Sequence, residues 1–376
     1  MYYSGEYVHS DYTEAEKWYR KAAEQGHLGS QIKLGDIYHS EQYKYSDYAE
    51  AAKWYRKAAE QGHLGSQKKL GDMLYNEELI YDDSDHEWRD RRNILIDLPE
   101  WEPDEDDWWM HDVFWDYIKQ NYVEAFKWYR KAAEQGDASA QTSVGHLYEV
   151  FADEVEWVDQ ELEVPEDYLS EIIEIGCGDA EQDYAEAFKW HSKAAAHGNS
   201  DSQSRLGFMY RYGKGVDKDY VKAATWYREA AEQGNADAQN GLGALYRFGL
   251  GVKQNYAEAV SWCRKAADQG NAESQNWLGL SYENGQGVKR DYAEALKWYI
   301  KAANQDNADA QNSIGEMYYY GRGITPNLAE SVKWYQKAAD FGNAEAQNNL
   351  VLEPGEMGHY GPGEKGQFQV GIKGPK

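Results

Sequence analysis

The chain has 376 residues, enough for two or three ordinary domains or for one elongated array of repeats. Its formal net charge of −27 excludes non-specific nucleic-acid binding through a basic face, because neutralising phosphates requires an excess of Lys and Arg. Two cysteines cannot form the disulfide framework of a small secreted protein, and no segment approaches the ~20 consecutive apolar residues of a membrane span.

One short pattern recurs around tryptophan along most of the chain. A clean copy runs Asp47-Tyr-Ala-Glu-Ala-Ala-Lys-Trp-Tyr-Arg-Lys-Ala-Ala-Glu-Gln-Gly62. The same pattern surrounds Trp18, Trp54, Trp128, Trp190, Trp226, Trp262, Trp298 and Trp334. Their spacing is 36 residues, except where two insertions interrupt it. A fixed period of this size predicts stacked helical hairpins, with these tryptophans in the seams between hairpins.

Each repeat predicts two helices. In most repeats the first begins at an Asp or Asn followed three residues later by Glu, as at Asp47 and Glu50, and stops at a glycine such as Gly62; one repeat has Asp306 in place of this glycine. The second carries an apolar stripe at helical spacing with a glycine inside it, for example Gly243. Because a glycine within a helix costs ~1 kcal/mol relative to alanine, its recurrence indicates a neighbour too close for a Cβ atom. A Gly-x-Gly motif, as in Gly213-Lys-Gly215, follows this helix and predicts a turn, since a phosphate-binding loop would follow a strand.

These motifs resemble the Sel1-like repeat (SLR) family. The resemblance rests on Ala-Glu-Ala-x-x-Trp-Tyr-x-Lys-Ala-Ala-Glu-Gln-Gly, then Ala-x-Ala-Gln-x-x-Leu-Gly-x-x-Tyr, then Gly-x-Gly-Val, and covers residues 1–82, 121–156 and 183–350. It implies an all-α, right-handed α/α superhelical solenoid related to tetratricopeptide repeats, about eight hairpins long, with a concave face that binds protein. It also implies a bacterial source, while the cysteine-rich branch of the family is excluded by the missing cysteines.

The predicted domain organisation is an array with two insertions and a tail. In chain order we expect a half repeat and repeats 1–2 at 1–82, an insertion at 83–120, repeat 3 at 121–156, an insertion at 157–182, repeats 4–8 at 183–350, and a Gly/Pro-rich flexible tail at 351–376.

The negative charge is concentrated in and around the two insertions. Residues 77–117 contain 16 Asp/Glu against 3 Arg, and residues 149–183 contain 14 Asp/Glu and no Lys or Arg, which accounts for the whole net charge. Large aromatic side chains accompany the acids, whereas disordered solvating segments are poor in aromatics. The predicted partner-binding residues are Trp101, Asp104, Glu105, Asp106, Asp107, Trp108, Trp109, Trp115 and Trp157. Tryptophans would anchor a partner, and carboxylates would attract its Lys and Arg side chains.

Two other interpretations of the insertions stay open. The tryptophans could pack back on the solenoid while the acids face water. Alternatively, Asp83-Ser-Asp85-His-Glu87 faintly resembles a calcium loop, although Trp88 stands where such a loop needs glycine. The second insertion could contain an extra helix, because Leu169, Ile172 and Ile173 share one helical face.

The sequence contains no catalytic motif, so we expect no enzyme, no cofactor and no metal site. The leading hypothesis is a scaffold or adaptor that binds a protein partner with a basic surface. The alternative is an immunity or mimic protein that neutralises a basic toxin or a nucleic-acid enzyme. We expect a cytoplasmic location for the sequence as written. A periplasmic or secreted location would follow if an upstream signal preceded Met1, where the chain aligns with the inside of a second helix.

Overall fold

A computed structural model of the chain describes residues 12–40, 47–76, 108–158 and 179–351. All regular structure in these ranges is helical. The sixteen helices are α1 (Tyr12–Glu24), α2 (Leu28–His39), α3 (Tyr48–Glu60), α4 (Leu64–Tyr75), α5 (Trp108–Glu134), α6 (Ala138–Val158), α7 (Ala180–Ala196), α8 (Ser200–Tyr212), α9 (Tyr220–Glu232), α10 (Ala236–Phe248), α11 (Tyr256–Asp268), α12 (Ala272–Asn284), α13 (Tyr292–Ala303), α14 (Ala308–Tyr320), α15 (Leu328–Asp340) and α16 (Ala344–Val351).

The chain divides into two compact units, residues 1–238 and 239–376. Within the first unit each helix from α1 to α9 packs against the next along the chain, and α11 to α16 do the same within the second. This neighbour-to-neighbour packing is that of an all-α repeat solenoid, as the 36-residue period predicts. None of the helices formed by the described residues is long and apolar enough to cross a membrane.

The predicted boundaries of α3 are confirmed, but its N-terminal cap has an unexpected second half. Asp47 accepts a hydrogen bond from the Glu50 backbone N–H at 2.8 Å. In a capping box the Glu side chain would bind the backbone N–H of the cap residue, but here that N–H donates to the Tyr38 carbonyl at 3.1 Å. Glu50 instead accepts from the Trp54 indole N–H at 2.9 Å. The Asp47 cap therefore satisfies a backbone N–H at the start of α3. It also links α3 to α2, because the Asp47 N–H donates to the Tyr38 carbonyl.

The recurring glycine of the second helices lies against a side chain of the following repeat. A Cβ atom placed on Gly279 would lie 2.5 Å from the ring of Tyr299, which is completely buried. The same close approach recurs at Gly35, Gly71, Gly145, Gly207, Gly243 and Gly315. The prediction of a neighbour too close for a Cβ is therefore confirmed. The neighbour is the residue that follows the repeat tryptophan, usually a tyrosine.

The repeat tryptophans are buried to different degrees. Trp54, Trp128, Trp190 and Trp298 are at most 8% exposed, whereas Trp18 is 60% exposed. Trp226, Trp262 and Trp334 are half-buried. The expectation that every copy fills a seam is thus correct for half of them. In seven of the eight repeats a lysine three residues later lies over the indole ring, as Lys301 does over Trp298 at 3.9 Å from the ring centre.

Glutamine side chains connect successive repeats. Gln61 donates to the side-chain oxygen of Gln31 at 2.6 Å, and Gln31 donates to the Ala23 carbonyl at 3.1 Å. We call this repeated arrangement the glutamine ladder; its remaining rungs are Gln135–Gln67, Gln233–Gln203, Gln269–Gln239 and Gln305–Gln275. Two rungs are broken, because His197 and Phe341 replace the donor glutamine. The acceptor oxygens of Gln141 and Gln311 are then buried without a hydrogen-bond donor among the described residues.

Candidate functional site

The pair of helices nearest the two insertions is the longest in the described chain. Helix α5 has 27 residues and α6 has 21, compared with 13 and 12 in the hairpin formed by α3 and α4. At 1.5 Å per residue, the two helices extend about 20 Å and 13 Å beyond that length. We call α5 and α6 the extended hairpin. Residues 108–120, placed in the first insertion by the spacing, are helical and continuous with repeat 3.

The extended hairpin carries predicted binding residues from both insertions. Trp108, Trp109 and Trp115 lie in the first half of α5, and Trp157 is the penultimate residue of α6. Trp115 and Trp157 are each 21 residues from Gly136, the centre of the turn between the two helices. At 1.5 Å per residue this separation corresponds to about 30 Å of helix on each side of the turn. Trp101, Asp104, Glu105, Asp106 and Asp107 lie outside the described residues, as do the calcium-like segment 83–88 and the tail.

A buried charge network holds the middle of α6 to the following repeat. Glu149 is 3% exposed, and its carboxylate accepts two hydrogen bonds from the Arg205 guanidinium, one of them from Nε at 3.3 Å. His191 is completely buried, with Nε2 3.3 Å from Glu149 Oε1 and Nδ1 3.1 Å from Ser202 Oγ. Ser202 Oγ lies 2.8 Å from Thr142 Oγ1. The network therefore fixes α6 to both helices of the next hairpin, α7 and α8.

The charges in this network decide the ionisation of Glu149. Burial alone would raise the pKa of this carboxyl, but contacts with His191 and the Arg205 guanidinium outweigh burial and hold the pKa below its usual value. Glu149 is thus a carboxylate at neutral pH. An arginine that binds a carboxylate with two donors also fixes its orientation, so the pair sets the angle of α6 as well as its position.

A second contact one turn further along α6 strengthens this attachment. Tyr184 on α7 donates a short hydrogen bond to Asp153, and Lys214 Nζ donates to the Tyr184 hydroxyl at 2.9 Å. Because Asp153 is four residues beyond Glu149, the two acids lie on the same face of α6. Trp157 lies four residues beyond Asp153 on the same helix. It therefore follows directly on a part of α6 that is held at two successive turns.

The sequence interpretation missed this network. Glu149, His191 and Arg205 lie in three different helices, and no local pattern connects them. A signal was nevertheless present: His191 stands where most repeats have tyrosine, and it packs on Gly145, the glycine of the preceding second helix.

A cavity of about 160 Å³ next to the network is lined by Tyr75, Tyr129, Thr142, Ser143 and His146. Small-molecule sites usually occupy 300–1,000 Å³, so this space would hold only a few atoms. Burial lowers the pKa of His146, which keeps the ring neutral. Across the described helices, no group of three His, Cys, Asp or Glu side chains is arranged to hold a metal ion.

Comparison with known proteins agrees with the repeat architecture. The Sel1 repeat model matches eight segments: 1–27, 29–63, 115–137, 169–199, 200–235, 236–271, 272–307 and 308–343. A search of curated protein sequences found no match.

Two solved structures resemble the chain over nearly its full length. One is c5321, a protective antigen present in uropathogenic Escherichia coli strains displaying an SLR fold, with 32% identity, 93% of this chain covered and a TM-score of 0.64. This chain spans 61% of that protein. The other is a Sel1 repeat protein from Oxalobacter formigenes, with 28% identity, coverage of 92% of this chain and 82% of that protein, and a TM-score of 0.60. The chain therefore belongs to the Sel1 repeat family, whose solenoids are generally non-enzymatic protein-interaction scaffolds.

Proposed function

We propose that this protein is a non-catalytic scaffold that recognises a protein partner with a basic surface through the extended hairpin and the acidic insertions next to it. The observation that carries the proposal is that the two longest described helices, α5 and α6, carry Trp115 and Trp157 in the parts that exceed the usual repeat length. Each residue comes from a different insertion, so two segments 42 residues apart in sequence contribute to the same pair of helices.

The attachment of the hairpin supports this role. Binding surfaces on rigid elements lose less conformational freedom when a partner docks, which leaves more of the interaction energy for affinity. The contacts of Glu149 in the middle of α6 and of Asp153 one turn later supply that rigidity. Tryptophan anchors contribute most of the binding energy in many interfaces, while clustered carboxylates accelerate association with a basic partner.

Binding kinetics test the two contributions separately. A partner recovered by pull-down with the full chain is immobilised, and association and dissociation rates are measured at 0.1 M and 1 M salt. Neutralising Asp104, Glu105, Asp106 and Asp107 with Asn or Gln should mainly slow association, and the effect should shrink at 1 M salt, where the Debye length falls to about 3 Å. Trp108→Ala with Trp109→Ala should mainly speed dissociation, by roughly tenfold or more.

A matched control removes the same charge elsewhere. Four exposed acids at the C-terminal ends of repeat helices are neutralised together: Glu24, Glu60, Glu232 and Asp268. This control should leave both rates unchanged if the insertions form the binding surface. Equal effects of the two charge variants would reduce the role of the insertions to non-specific attraction. If neither insertion variant alters a rate, the concave face that the repeat resemblance implies becomes the better candidate. A single partner that is a toxin or nucleic-acid enzyme, bound tightly and with steep salt dependence, would instead support the neutraliser hypothesis.

A further inference from the structure

The cavity of about 160 Å³ lies between α4 and the two helices of the extended hairpin, and its lining residues are Tyr75, Tyr129, Thr142, Ser143 and His146. Tyr75 and His146 hold one wall together, with the tyrosine hydroxyl 2.9 Å from Nε2 of the histidine. This wall reaches the surface, since the His146 side chain is 45% exposed. A small group presented by another molecule can therefore enter the cavity.

The preceding repeat shows what occupies the corresponding place there. Its counterpart of Tyr129 is Tyr55, whose hydroxyl donates to Asp36 at 3.0 Å. Lys69 lies over the Tyr55 ring, 5.0 Å from its centre, and Nζ donates to Asp36 at 2.6 Å and to the tyrosine hydroxyl at 3.2 Å. The Lys69 side chain is 49% exposed, so its ammonium group reaches this place from the surface.

At the cavity the lysine is missing, but the groups that would hold it are present. Lys69 aligns with Ser143, 74 residues later, and Asp36 aligns with Asp72, 36 residues later, because the first insertion lies between α4 and α5. The Tyr129 hydroxyl donates to Asp72 at 2.8 Å, as in the preceding repeat. A serine in place of a lysine therefore leaves the acid and the hydroxyl in position and opens space beside them.

The charges around this space favour a cation. Among the described side chains, Asp72 has the Tyr129 hydroxyl as a hydrogen-bond donor and no lysine or arginine in salt-bridge contact. Burial lowers the pKa of His146, so its ring adds no positive charge at neutral pH. An ammonium group here would meet a carboxylate, a hydroxyl oxygen and an aromatic ring, each of which attracts a cation.

We propose that this cavity receives the ammonium group of a lysine side chain of the protein partner, held by Asp72 and the Tyr129 hydroxyl as Lys69 is held one repeat earlier. The inference rests on the proposed function and deepens it, because it names the group of the basic partner that enters the base of the extended hairpin. A volume of about 160 Å³ suits an ammonium group with its last methylene groups, which are only a few atoms.

The test follows the ring signals of the full chain labelled with ¹³C-histidine, with the His146 signal assigned by its loss in His146→Gln. The chain is titrated at neutral pH with Nα-acetyl-lysine N-methylamide, which presents a free ammonium group. Its Nε-acetylated form is the uncharged control, and Nα-acetyl-arginine N-methylamide compares the other basic side chain. We expect a saturable shift of the His146 signal with the lysine probe, at concentrations on the order of millimolar, and weaker binding of the arginine probe.

Three variants make the result specific. Asp72→Asn should weaken binding of the lysine probe by at least about tenfold, since a hydrogen bond between two charged groups is lost. Ser143→Lys should abolish binding, because the new side chain supplies the missing ammonium group from within the chain. Ser139→Lys is the matched control: it adds the same charge one turn earlier on α6, at an exposed position that does not line the cavity, and it should bind as the wild type does.

Four results would overturn the lysine site: no saturable shift, an equal shift with the uncharged control, tighter binding of the arginine probe, or unchanged binding by folded Asp72→Asn. The probes need no partner, so such a failure leaves the proposed function to the kinetics of the insertion variants. With the recovered partner, Ser143→Lys should speed dissociation by about tenfold or more, and Ser139→Lys should not. Equal dissociation rates of these two variants would show that no lysine of the partner uses the cavity.

Discussion

Substituting Gly279 with alanine tests whether the contact between consecutive repeats limits the packing of the array. The new Cβ would lie 2.5 Å from two carbons of the Tyr299 ring, well inside van der Waals contact. The ring cannot move aside freely, because it is fully buried and its hydroxyl donates to Glu283 at 2.7 Å. Alanine would stabilise an isolated helix by about 1 kcal/mol, whereas overpacking costs about 1–3 kcal/mol and a lost hydrogen bond to a charged group about 1.5–3 kcal/mol. We expect a net loss of roughly 2–4 kcal/mol.

A double-mutant cycle separates this packing effect from helix propensity. In a Tyr299→Ala background the clash is gone, so Gly279→Ala should be neutral or stabilising by up to about 1 kcal/mol. Gly29→Ala is the matched single control, since its Cβ would meet only the His27 ring, at 3.3 Å. Stability is followed by urea unfolding and by amide hydrogen exchange of α12 and α13, because an array of repeats opens locally. A Gly279→Ala protein as stable as the wild type, or an equal effect in both backgrounds, would refute the argument.

Three further predictions concern other parts of the array. Trp298→Ala should lower the free energy of unfolding by about 3–5 kcal/mol, clearly more than Trp226→Ala, because only the Trp298 indole is fully buried. Equal melting temperatures of the two variants would contradict this prediction. Burial raises the pKa of Glu316 to about 7, so this group favours folding most below pH 4.5, and that contribution is lost as the pH rises through 7. Glu316→Gln should therefore be more stable than the wild type at pH 8, by at most about 3 kcal/mol before solvent screening is considered, and its advantage should shrink at pH 5. Phe341→Gln should restore a rung of the glutamine ladder and stabilise the chain by about 0.5–1.5 kcal/mol, since Gln311 regains a donor; a lower melting temperature would argue against the ladder.

The helices and their ends follow from local sequence because the forces that set them are local. Asp47 and Gly62 mark the limits of α3 through a side-chain cap and a left-handed backbone, and both depend on residues only a few positions away. The 36-residue period extends this local information to the whole chain. Even the exception fits: Asp306 stands where the other repeats have glycine, and it is the only residue other than glycine with positive φ in the described chain.

The candidate sites required the tertiary structure because their parts are far apart in sequence. Glu149 and Arg205 are 56 residues apart, and neither departs from an ordinary surface residue in any local pattern. Their pairing depends on how α6 and α8 pack against each other. The spacing of the helices along the sequence does not specify that packing. The extension of α5 back to Trp108 was likewise unexpected, since the repeat motif begins at Tyr122 and the preceding residues lack its pattern.

The sequence by itself determined the family, the helical hairpins, their period, and the glycines on which the next repeat packs. These features recur in many copies, so each copy supports the others. Only the tertiary structure decided which tryptophans are buried and where the glutamine ladder breaks. The physical reason is that these properties belong to single positions in contact with a neighbouring repeat. His197 and Phe341 replace glutamine in two repeats and leave buried oxygens of Gln141 and Gln311 without a donor among the described residues, and a repeated pattern cannot predict its own exceptions.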